Sequence, residues 1–315
     1  MNRKPAIISI KGYNLTKKEK KLIKQEKPWG IILFKRNIKN FDQVKNLTTE
    51  IRKCLKDQSY PILIDEEGGI VSRFSNLINS SEFSQKFFGK IFEMNNVKGQ
   101  MIYEYYLNSV CSVLKKTGIN VNTIPVMDLL NKSSHKIIKN RCYSNKTKVI
   151  KLLGRICIDN LKNNKIGSVA KHIPGHGKGN ADSHKKMPIV NDSPKNLYLN
   201  DFSTFKDIKS HFVMTAHILY KKIDPKFVAT QSKIIIEKII RKKLGFRGLI
   251  ISDDISMKAL KNDLLSNARN SLNAGCNLIL YCGGKIGESS MILKSLGKID
   301  NFTIKKTQQF YEFLR

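Results

Sequence analysis

The sequence predicts one (β/α)8 barrel domain over residues 1–315. Short apolar runs alternate with helix-like segments along the whole chain, and there are about eight such runs, as a barrel requires. Charged residues and histidines directly follow many of these runs, at the strand ends where barrel active sites are built. A doubly wound open sheet is less well supported, because Lys11-Gly12-Tyr13-Asn14 after the first run is not a phosphate-binding glycine loop.

The first half of the chain has three predicted strands and three predicted helices. Hydrophobic periodicity predicts strands at residues 6–10, 30–34 and 62–65, and helices at 16–26, 42–55 and near 97–116. Thr16 and Glu19 have the spacing of a capping box, which indicates that the first helix begins there. Residues 75–95 follow no regular period.

The second half repeats the alternation more regularly. Strands are predicted at 121–128, 166–172, 212–217, 249–253 and 278–282, and helices at 146–163, 197–208, 232–244 and 265–274, followed by two C-terminal helices. The ends of the predicted strands carry Asp65, Asp128, Lys171, His172, His217 and Asp253. Because the carboxyl ends of barrel strands meet at one face, these residues predict an active site there.

The overall charge is strongly basic. The 57 Lys and Arg residues outnumber the 25 Asp and Glu residues and give a formal net charge of +32. The lysines are scattered through predicted helices and turns and form no single arm, so they indicate solvated faces more than a nucleic-acid footprint. A basic surface would also attract an anionic small substrate.

The six cysteines lie far apart without a CxxC pair, which indicates free thiols in a reducing compartment. The apolar run before Lys11 is too short for the core of a signal peptide, and no run is long enough to span a membrane. We therefore expect a cytoplasmic protein without a membrane partner.

The segment 171–184, KHIPGHGKGNADSH, concentrates the chemistry of the chain. Asp182 and His184 are one residue apart, so a carboxylate on the imidazole could favour the protonated ring and make it a proton donor near neutral pH. An Asx-turn beside an exposed histidine is the simpler interpretation of this pair.

A metal site is a third interpretation of the same segment, with His172, His176, Asp182 and His184 as ligands. Metal-dependent barrel hydrolases typically carry two histidines at the end of the first strand, and residues 9–11 offer none. We therefore expect no metal and no cofactor.

Asp253 and Asp254 are adjacent at a strand end, so one can cap the following helix while the other faces the site. Asp65, Arg73, Arg141 and Lys171 are suited to bind a polyhydroxylated ligand, since each sugar hydroxyl both donates and accepts. Surface ion pairs are the simpler interpretation of each arginine taken alone.

Three motifs together resemble one known family. They are LIDEEGGIVSRF at 63–74, KHIPGHG with DSH within 171–184, and GLIISDDISMKAL at 248–260. This set is similar to glycoside hydrolase family 3, in its branch of single-domain bacterial β-N-acetylglucosaminidases that trim muropeptides during cell-wall recycling. Further matches occur in the family's order along nearly the whole chain.

The resemblance implies a retaining mechanism and a role for each site residue. Asp253 corresponds to the nucleophile, His184 to the acid/base and Asp182 to its partner. The residues that correspond to the N-acetylglucosamine-binding positions are Asp65, Arg73, Arg141, Lys171 and His172. The sequence departs from the family at Glu66, where glutamine is more common, and at Cys142-Tyr143 after the arginine.

The expected function is therefore that of a cofactor-free, monomeric exo-enzyme with a small carbohydrate substrate. It would cleave the β-1,4 bond between N-acetylglucosamine and (anhydro-)N-acetylmuramic acid in muropeptides. Two alternatives remain open: the same fold acting as an N-acetylglucosaminide phosphorylase, or a non-catalytic basic barrel that binds anionic glycans or nucleic acid.

Overall fold

A computed structural model describes residues 1–131, 134, 136–179, 181, 183 and 185–315 of the chain. Within these residues, eight parallel strands form the barrel: β1 Lys4–Ser9, β2 Pro28–Leu33, β3 Ile62–Ile64, β4 Val121–Asn122, β5 Gly167–Ile173, β7 Phe212–Thr215, β9 Leu249–Asp254 and β10 Leu278–Tyr281. They close in the order β1-β10-β9-β7-β5-β4-β3-β2. The predicted (β/α)8 barrel is confirmed.

Both faces of the barrel strands are buried, as the apolar runs predict for parallel strands. Alternate residues such as Ile7 and Ile32 point into the barrel and pack with Trp29. Their neighbours, such as Ala6 and Ile31, belong to the larger core between the strands and the surrounding helices.

Helices surround the barrel between successive strands. Their bounds are α1 Lys17–Glu26, α2 Phe41–Leu55, α3 Gln85–Met94, α4 Asn96–Lys116, α5 Lys136–Lys139, α6 Thr147–Asn163, α7 Pro194–Leu199, a π-type helix Ile234–Lys243, α8 Leu264–Ala274, α9 Ile286–Ser295 and α10 Asn301–Leu314. The predicted capping box is confirmed: the Glu19 N–H donates to Thr16 Oγ1 at 3.2 Å, and the Thr16 N–H donates to Glu19 Oε2 at 2.8 Å.

The amino end of the barrel is covered by α10. Trp29 Nε1 donates to Thr307 Oγ1 of this helix at 2.8 Å, and the Phe310 ring lies 5.0 Å from that of Phe212. A Cβ atom at Gly167 would lie 2.7 Å from the Phe310 ring, so the first residue of β5 must be glycine for α10 to pack this closely.

Two predicted elements were wrong in extent. The strand predicted at 121–128 pairs continuously only at Val121–Asn122, because Pro125 has no N–H to donate; Val126 then forms a single bridge with Lys171. The helix predicted at 197–208 is replaced by α7 and a 3₁₀ turn, Phe202–Phe205, because Asn200 ends α7 at φ −114° and ψ −90°.

Some elements gave no clear signal in the sequence. Helix α3 lies in the segment without regular period, where Ser84 caps it by accepting from the Phe87 N–H. A second sheet pairs β6 Ile189–Val190 with β8 Leu219–Tyr220, and two-residue strands are too short to produce a period.

The six cysteines are free thiols, four of them buried and two partly exposed. No helix in the described part of the chain combines the length and the hydropathy needed to cross a bilayer.

Candidate active site

A pocket of about 310 Å³ opens at the carboxyl end of the barrel. It brings together the six predicted site residues that the structure describes: Asp65, Arg73, Arg141, Lys171, His172 and Asp253. Apolar side chains, including Phe34, Met214 and Leu280, form part of the remaining wall. Polar groups converging in a partly apolar cavity are typical of a small-molecule site.

Lys171 lies at the inner end of the pocket and is 2% exposed. Its Nζ contacts Glu67 Oε1 at 2.6 Å, Thr123 Oγ1 at 2.8 Å and Asp65 Oδ1 at 3.1 Å. An ammonium group has three protons to donate, so all three are satisfied by the protein. This buried cation therefore fixes the positions of two carboxylates.

Asp65 also binds Arg73, whose Nη2 donates to Asp65 Oδ2 at 2.8 Å. The Thr123 hydroxyl donates to Asp65 Oδ1. Burial alone would raise the pKa of Asp65, but Lys171 and Arg73 outweigh burial and hold that pKa well below its ordinary value. Asp65 is therefore an ionised acceptor at neutral pH.

Glu66 supports Arg73 from behind the pocket. Its Oε2 accepts from the backbone N–H groups of Arg73 at 2.7 Å and Phe74 at 3.1 Å. Burial raises the pKa of Glu66 above its ordinary value. The side chain thus fastens the loop that carries Arg73.

Glu67 is a site residue that the sequence reasoning did not identify. Its two oxygens accept from Arg141 Nε and Nη2, both at 2.8 Å, in a bidentate pair. Burial alone would raise the pKa of Glu67, but Arg141 and Lys171 lower it to about 2. The available signal in the sequence was an acidic pair before Gly68-Gly69 at a strand end. The structure requires glycine at position 68, because Gly68 has φ +82° and a Cβ there would lie 2.1 Å from the Phe83 carbonyl oxygen.

His172 is held between Asp128 and Arg141. Its Nδ1 lies 2.7 Å from Asp128 Oδ2, and its Nε2 lies 3.3 Å from Arg141 Nη2. Because a guanidinium group can only donate, Nε2 accepts and Nδ1 carries the proton given to Asp128. Burial alone would raise the pKa of Asp128, but His172 and the backbone N–H groups that it binds lower it.

His176 lines the same pocket beside His172, with 5.6 Å between the ring centroids. Burial, together with the neighbouring His172, lowers the pKa of His176 to about 4, so the ring is neutral at pH 7. Among the described residues, no group of three or more His, Cys, Asp and Glu side chains is arranged to hold a metal ion.

The adjacent aspartates at the end of β9 have different contacts. The Asp254 carboxylate accepts from the Ser256 N–H at 3.1 Å, the Ser256 hydroxyl at 2.7 Å and the Cys282 N–H at 3.2 Å. Burial raises the pKa of Asp254. The Asp253 carboxylate lines the pocket and accepts the Asp254 N–H at 2.8 Å.

Comparison with known proteins was made on sequence and on structure. Residues 4–309 match the family described as "Glycosyl hydrolase family 3 N terminal domain". The chain belongs to glycoside hydrolase family 3. The predicted family is therefore confirmed, and the chain is a glycoside hydrolase.

Two named family relatives are β-hexosaminidases. The one from Psychromonas ingrahamii is 31% identical over 315 residues, which cover 98% of this chain and 89% of that protein. The one from Bordetella pertussis is also 31% identical, over 88% of this chain and 80% of that protein.

Solved structures of the family have the same fold. NagZ from Neisseria gonorrhoeae in complex with N-trifluoroacetyl-D-glucosamine superposes with a TM-score of 0.88 and 27% identity, covering 100% of this chain and 90% of that chain. A family 3 β-N-acetylglucosaminidase from Paenibacillus gives a TM-score of 0.85 at 25% identity, covering 98% of this chain and 60% of that one.

Two residues that the family resemblance singles out, Asp182 and His184, lie outside the described residues. Ser183 between them is described: it lines the pocket, and its carbonyl oxygen accepts from the Ala259 N–H at 3.1 Å. The roles of Asp182 and His184 therefore stay predictions.

Proposed function

We propose that this glycoside hydrolase is a retaining exo-β-N-acetylglucosaminidase in which Asp253 is the nucleophile. The observation that carries the proposal is the lining of the pocket: the Asp253 carboxylate lines the same cavity as the network of Lys171, Asp65 and Arg141. A volume of about 310 Å³ is at the lower end of ligand pockets and suits one amino sugar. A cavity with room for one sugar favours cleavage at a chain terminus.

The first step would form a covalent intermediate. The Asp253 carboxylate attacks the anomeric carbon of a β-linked N-acetylglucosamine, and the bond from that carbon to the leaving oxygen breaks. His184 gives its proton to the leaving oxygen, while Asp182 on the other ring nitrogen favours the protonated imidazole.

The second step would release the sugar. Water gives a proton to the now neutral His184 and attacks the anomeric carbon, which breaks the bond to Asp253 and restores the β configuration. A neutral base avoids repulsion with the negative charge that returns to the Asp253 carboxylate as its bond to the sugar breaks.

The binding wall would hold the sugar by its hydroxyl groups. Asp65 is ionised, and three of its roughly four acceptor positions are used by Lys171, Thr123 and Arg73, so it can accept one hydroxyl proton. Arg73 has donors beyond the one given to Asp65. We assign hydroxyl binding also to Arg141, Lys171 and His172, with a sugar hydroxyl replacing one of the protein partners that occupy the Lys171 ammonium group and the His172 ring nitrogens.

The natural substrate in this proposal is a muropeptide, cleaved between N-acetylglucosamine and (anhydro-)N-acetylmuramic acid in the cytoplasm. The net charge of +32 would attract the carboxylates of the lactyl and peptide groups. Six free cysteines are typical of a reducing compartment. The barrel, residues 1–315, would carry this activity by itself.

The test is the release of 4-nitrophenol from its β-N-acetylglucosaminide, with and without EDTA. We expect activity that survives EDTA and that falls by at least about a thousandfold in Asp253→Asn. Asp159→Asn, which removes a carboxylate from the exposed pair with Arg155 on α6, is the matched control and should leave the rate unchanged. Activity in the Asp253→Asn protein would reject the assignment of Asp253 as the nucleophile.

The acid/base role has a separate test. His184→Ala should slow the disaccharide of N-acetylglucosamine and anhydromuramic acid far more than an aryl glycoside, whose leaving group needs little protonation. Equal losses on both substrates would reject this role. Adding inorganic phosphate would identify a phosphorylase by the appearance of N-acetylglucosamine 1-phosphate.

A further inference from the structure

His217 was predicted at a strand end, and the structure places it below the pocket. It is fully buried and lies two residues after β7, the strand that pairs with β9 through Met214 and Ile251. Its two ring nitrogens make defined contacts: Nε2 lies 3.0 Å from the Asp254 carbonyl oxygen, and Nδ1 lies 2.7 Å from Thr230 Oγ1.

These contacts fix the position of the ring proton. A carbonyl oxygen can only accept, so Nε2 of His217 must carry a proton and donate it to Asp254. Burial lowers the pKa of His217, so the ring is neutral near pH 7 and Nδ1 is an acceptor. The single Thr230 hydroxyl proton goes to Nδ1, because this contact, at 2.7 Å, is shorter than the 3.2 Å contact with the Ala216 carbonyl oxygen. Thr230 Oγ1 is in turn 2.8 Å from Thr215 Oγ1, which can donate to it.

The result is a directed chain of hydrogen bonds that ends on the backbone beside Asp253. It runs from Thr215 through Thr230 and His217 to the carbonyl oxygen of Asp254. The N–H of the same Asp254 residue donates to Asp253 Oδ1. A shift of Asp254 would therefore move a hydrogen bond that helps to orient the Asp253 carboxylate.

We propose that His217 is a positioning residue that acts through Asp254 to hold the Asp253 carboxylate in the geometry for attack. This inference rests on the proposed function, because it matters to turnover only if Asp253 is the nucleophile. His217 does not touch the sugar in this account, so its loss should slow the formation of the glycosyl-enzyme without weakening sugar binding.

The test compares His217→Phe with His217→Gln. Phenylalanine keeps the ring volume and loses both hydrogen bonds, whereas the glutamine amide nitrogen can reach the position of Nε2 and donate to Asp254. We expect kcat/KM for 2,4-dinitrophenyl β-N-acetylglucosaminide to fall by roughly 10- to 100-fold in His217→Phe and to recover most of that loss in His217→Gln. This substrate needs no proton donor, so the rate reports on attack by the nucleophile.

Two further readouts separate positioning from simple unfolding. The inhibition constant of free N-acetylglucosamine should change by less than about twofold in both variants, since the sugar-binding wall is untouched. Thr230→Val should lower kcat/KM by less than His217→Phe, because it removes only the partner of Nδ1. His211→Phe is the matched control: it changes the histidine at the other end of the same strand and should leave kcat/KM unchanged.

The outcomes distinguish this inference from the proposed function. If Asp253→Asn is inactive and His217→Phe is as active as the unchanged protein, only the positioning role is rejected. The positioning role is also rejected if His217→Gln is as slow as His217→Phe, or if both weaken inhibition by N-acetylglucosamine in proportion to kcat/KM. An active Asp253→Asn protein rejects the proposed function itself.

Discussion

The two ends of the barrel bury opposite kinds of side chain, although the same strands connect them. The carboxyl end buries Lys171 against the carboxylates of Asp65 and Glu67. The amino end buries the rings of Phe212 and Phe310, the latter carried there by α10.

This difference separates stability from function within one fold. Buried aromatic side chains stabilise the protein through the area that they remove from water. A buried ion pair contributes little to stability, because the cost of desolvating the charges offsets much of their attraction. The charged end is thus retained because it can bind a ligand, and the aromatic end because it stabilises the fold.

Of the changes that compare the two ends, removing the central cation should have the broadest effect, because it lowers both stability and activity. Lys171→Met leaves two buried carboxylates without one of their cations, so we expect the free energy of unfolding to fall by about 3–5 kcal/mol. Turnover should fall on the order of a hundredfold, since Asp65 and Glu67 lose their positions. Urea unfolding and the aryl glycoside assay measure the two effects.

Lys162→Met is the control for that experiment, because it removes an exposed lysine from α6. Lys162→Met should change neither the free energy of unfolding nor the rate of turnover. A Lys171→Met protein of normal stability and rate would contradict the view that this lysine organises the site.

Truncation at the aromatic end should affect stability alone. Phe310→Ala empties the space between β5, β7 and α10, and we expect a loss of about 3–5 kcal/mol in the free energy of unfolding. Measured well below the melting temperature, kcat should stay within about twofold of the unchanged protein. A large fall in kcat without unfolding would show that the two ends are coupled.

The aromatic end should also give the protein a pH-dependent stability. Burial, with Lys162 nearby, lowers the pKa of His211 from 6.5 to about 4, so between these values the unfolded chain binds more protons. The stability contributed by the neutral ring is complete above about pH 6.5 and is lost as the pH falls toward 4.

His211→Phe should remove this dependence. Between pH 6.5 and pH 4.5, the free energy of unfolding should fall in both proteins, and the fall should be smaller by about 2 kcal/mol in His211→Phe than in the unchanged protein. Urea titrations at several pH values measure the difference. Parallel pH curves for the two proteins would mean that His211 keeps an ordinary pKa in the folded state.

The smallest effect is expected at Glu66. The amide oxygen of glutamine can accept the same two backbone N–H groups, and the change removes a buried charge that burial disfavours. Glu66→Gln should raise the free energy of unfolding at pH 7 by about 0.5–1 kcal/mol and leave kcat nearly unchanged. Because a raised carboxyl pKa weakens the folded state above the unfolded pKa, this gain should shrink as the pH falls toward 4.

The sequence predicted the barrel well, because the apolar runs of the strands and the helical spacing of apolar residues in the helices are both local patterns. Apolar runs such as 30–34 and 278–282 differ from the observed strands by only one or two residues at either end. The strand at 121–128 was predicted too long because apolar character continues past Asn122, where continuous pairing stops.

The residues of the site were easier to predict than their contacts. Strand-end positions indicated Asp65 and Lys171, yet their ion pair joins residues 106 positions apart and exists only once the barrel closes. Glu67 was missed for the same reason, since its partner Arg141 lies 74 positions away. Such pairings follow from topology and not from local pattern.

The most direct test of the account is to trap the covalent intermediate. The protein would be mixed with a 5-fluoro-N-acetylglucosaminyl fluoride, which forms a glycosyl-enzyme faster than water removes it, and then examined by intact mass spectrometry and peptide mapping. The account predicts one added sugar, carried by the peptide that contains Asp253, and no addition in Asp253→Asn. A sugar on another residue, or turnover with inversion at the anomeric carbon and no adduct, would contradict it.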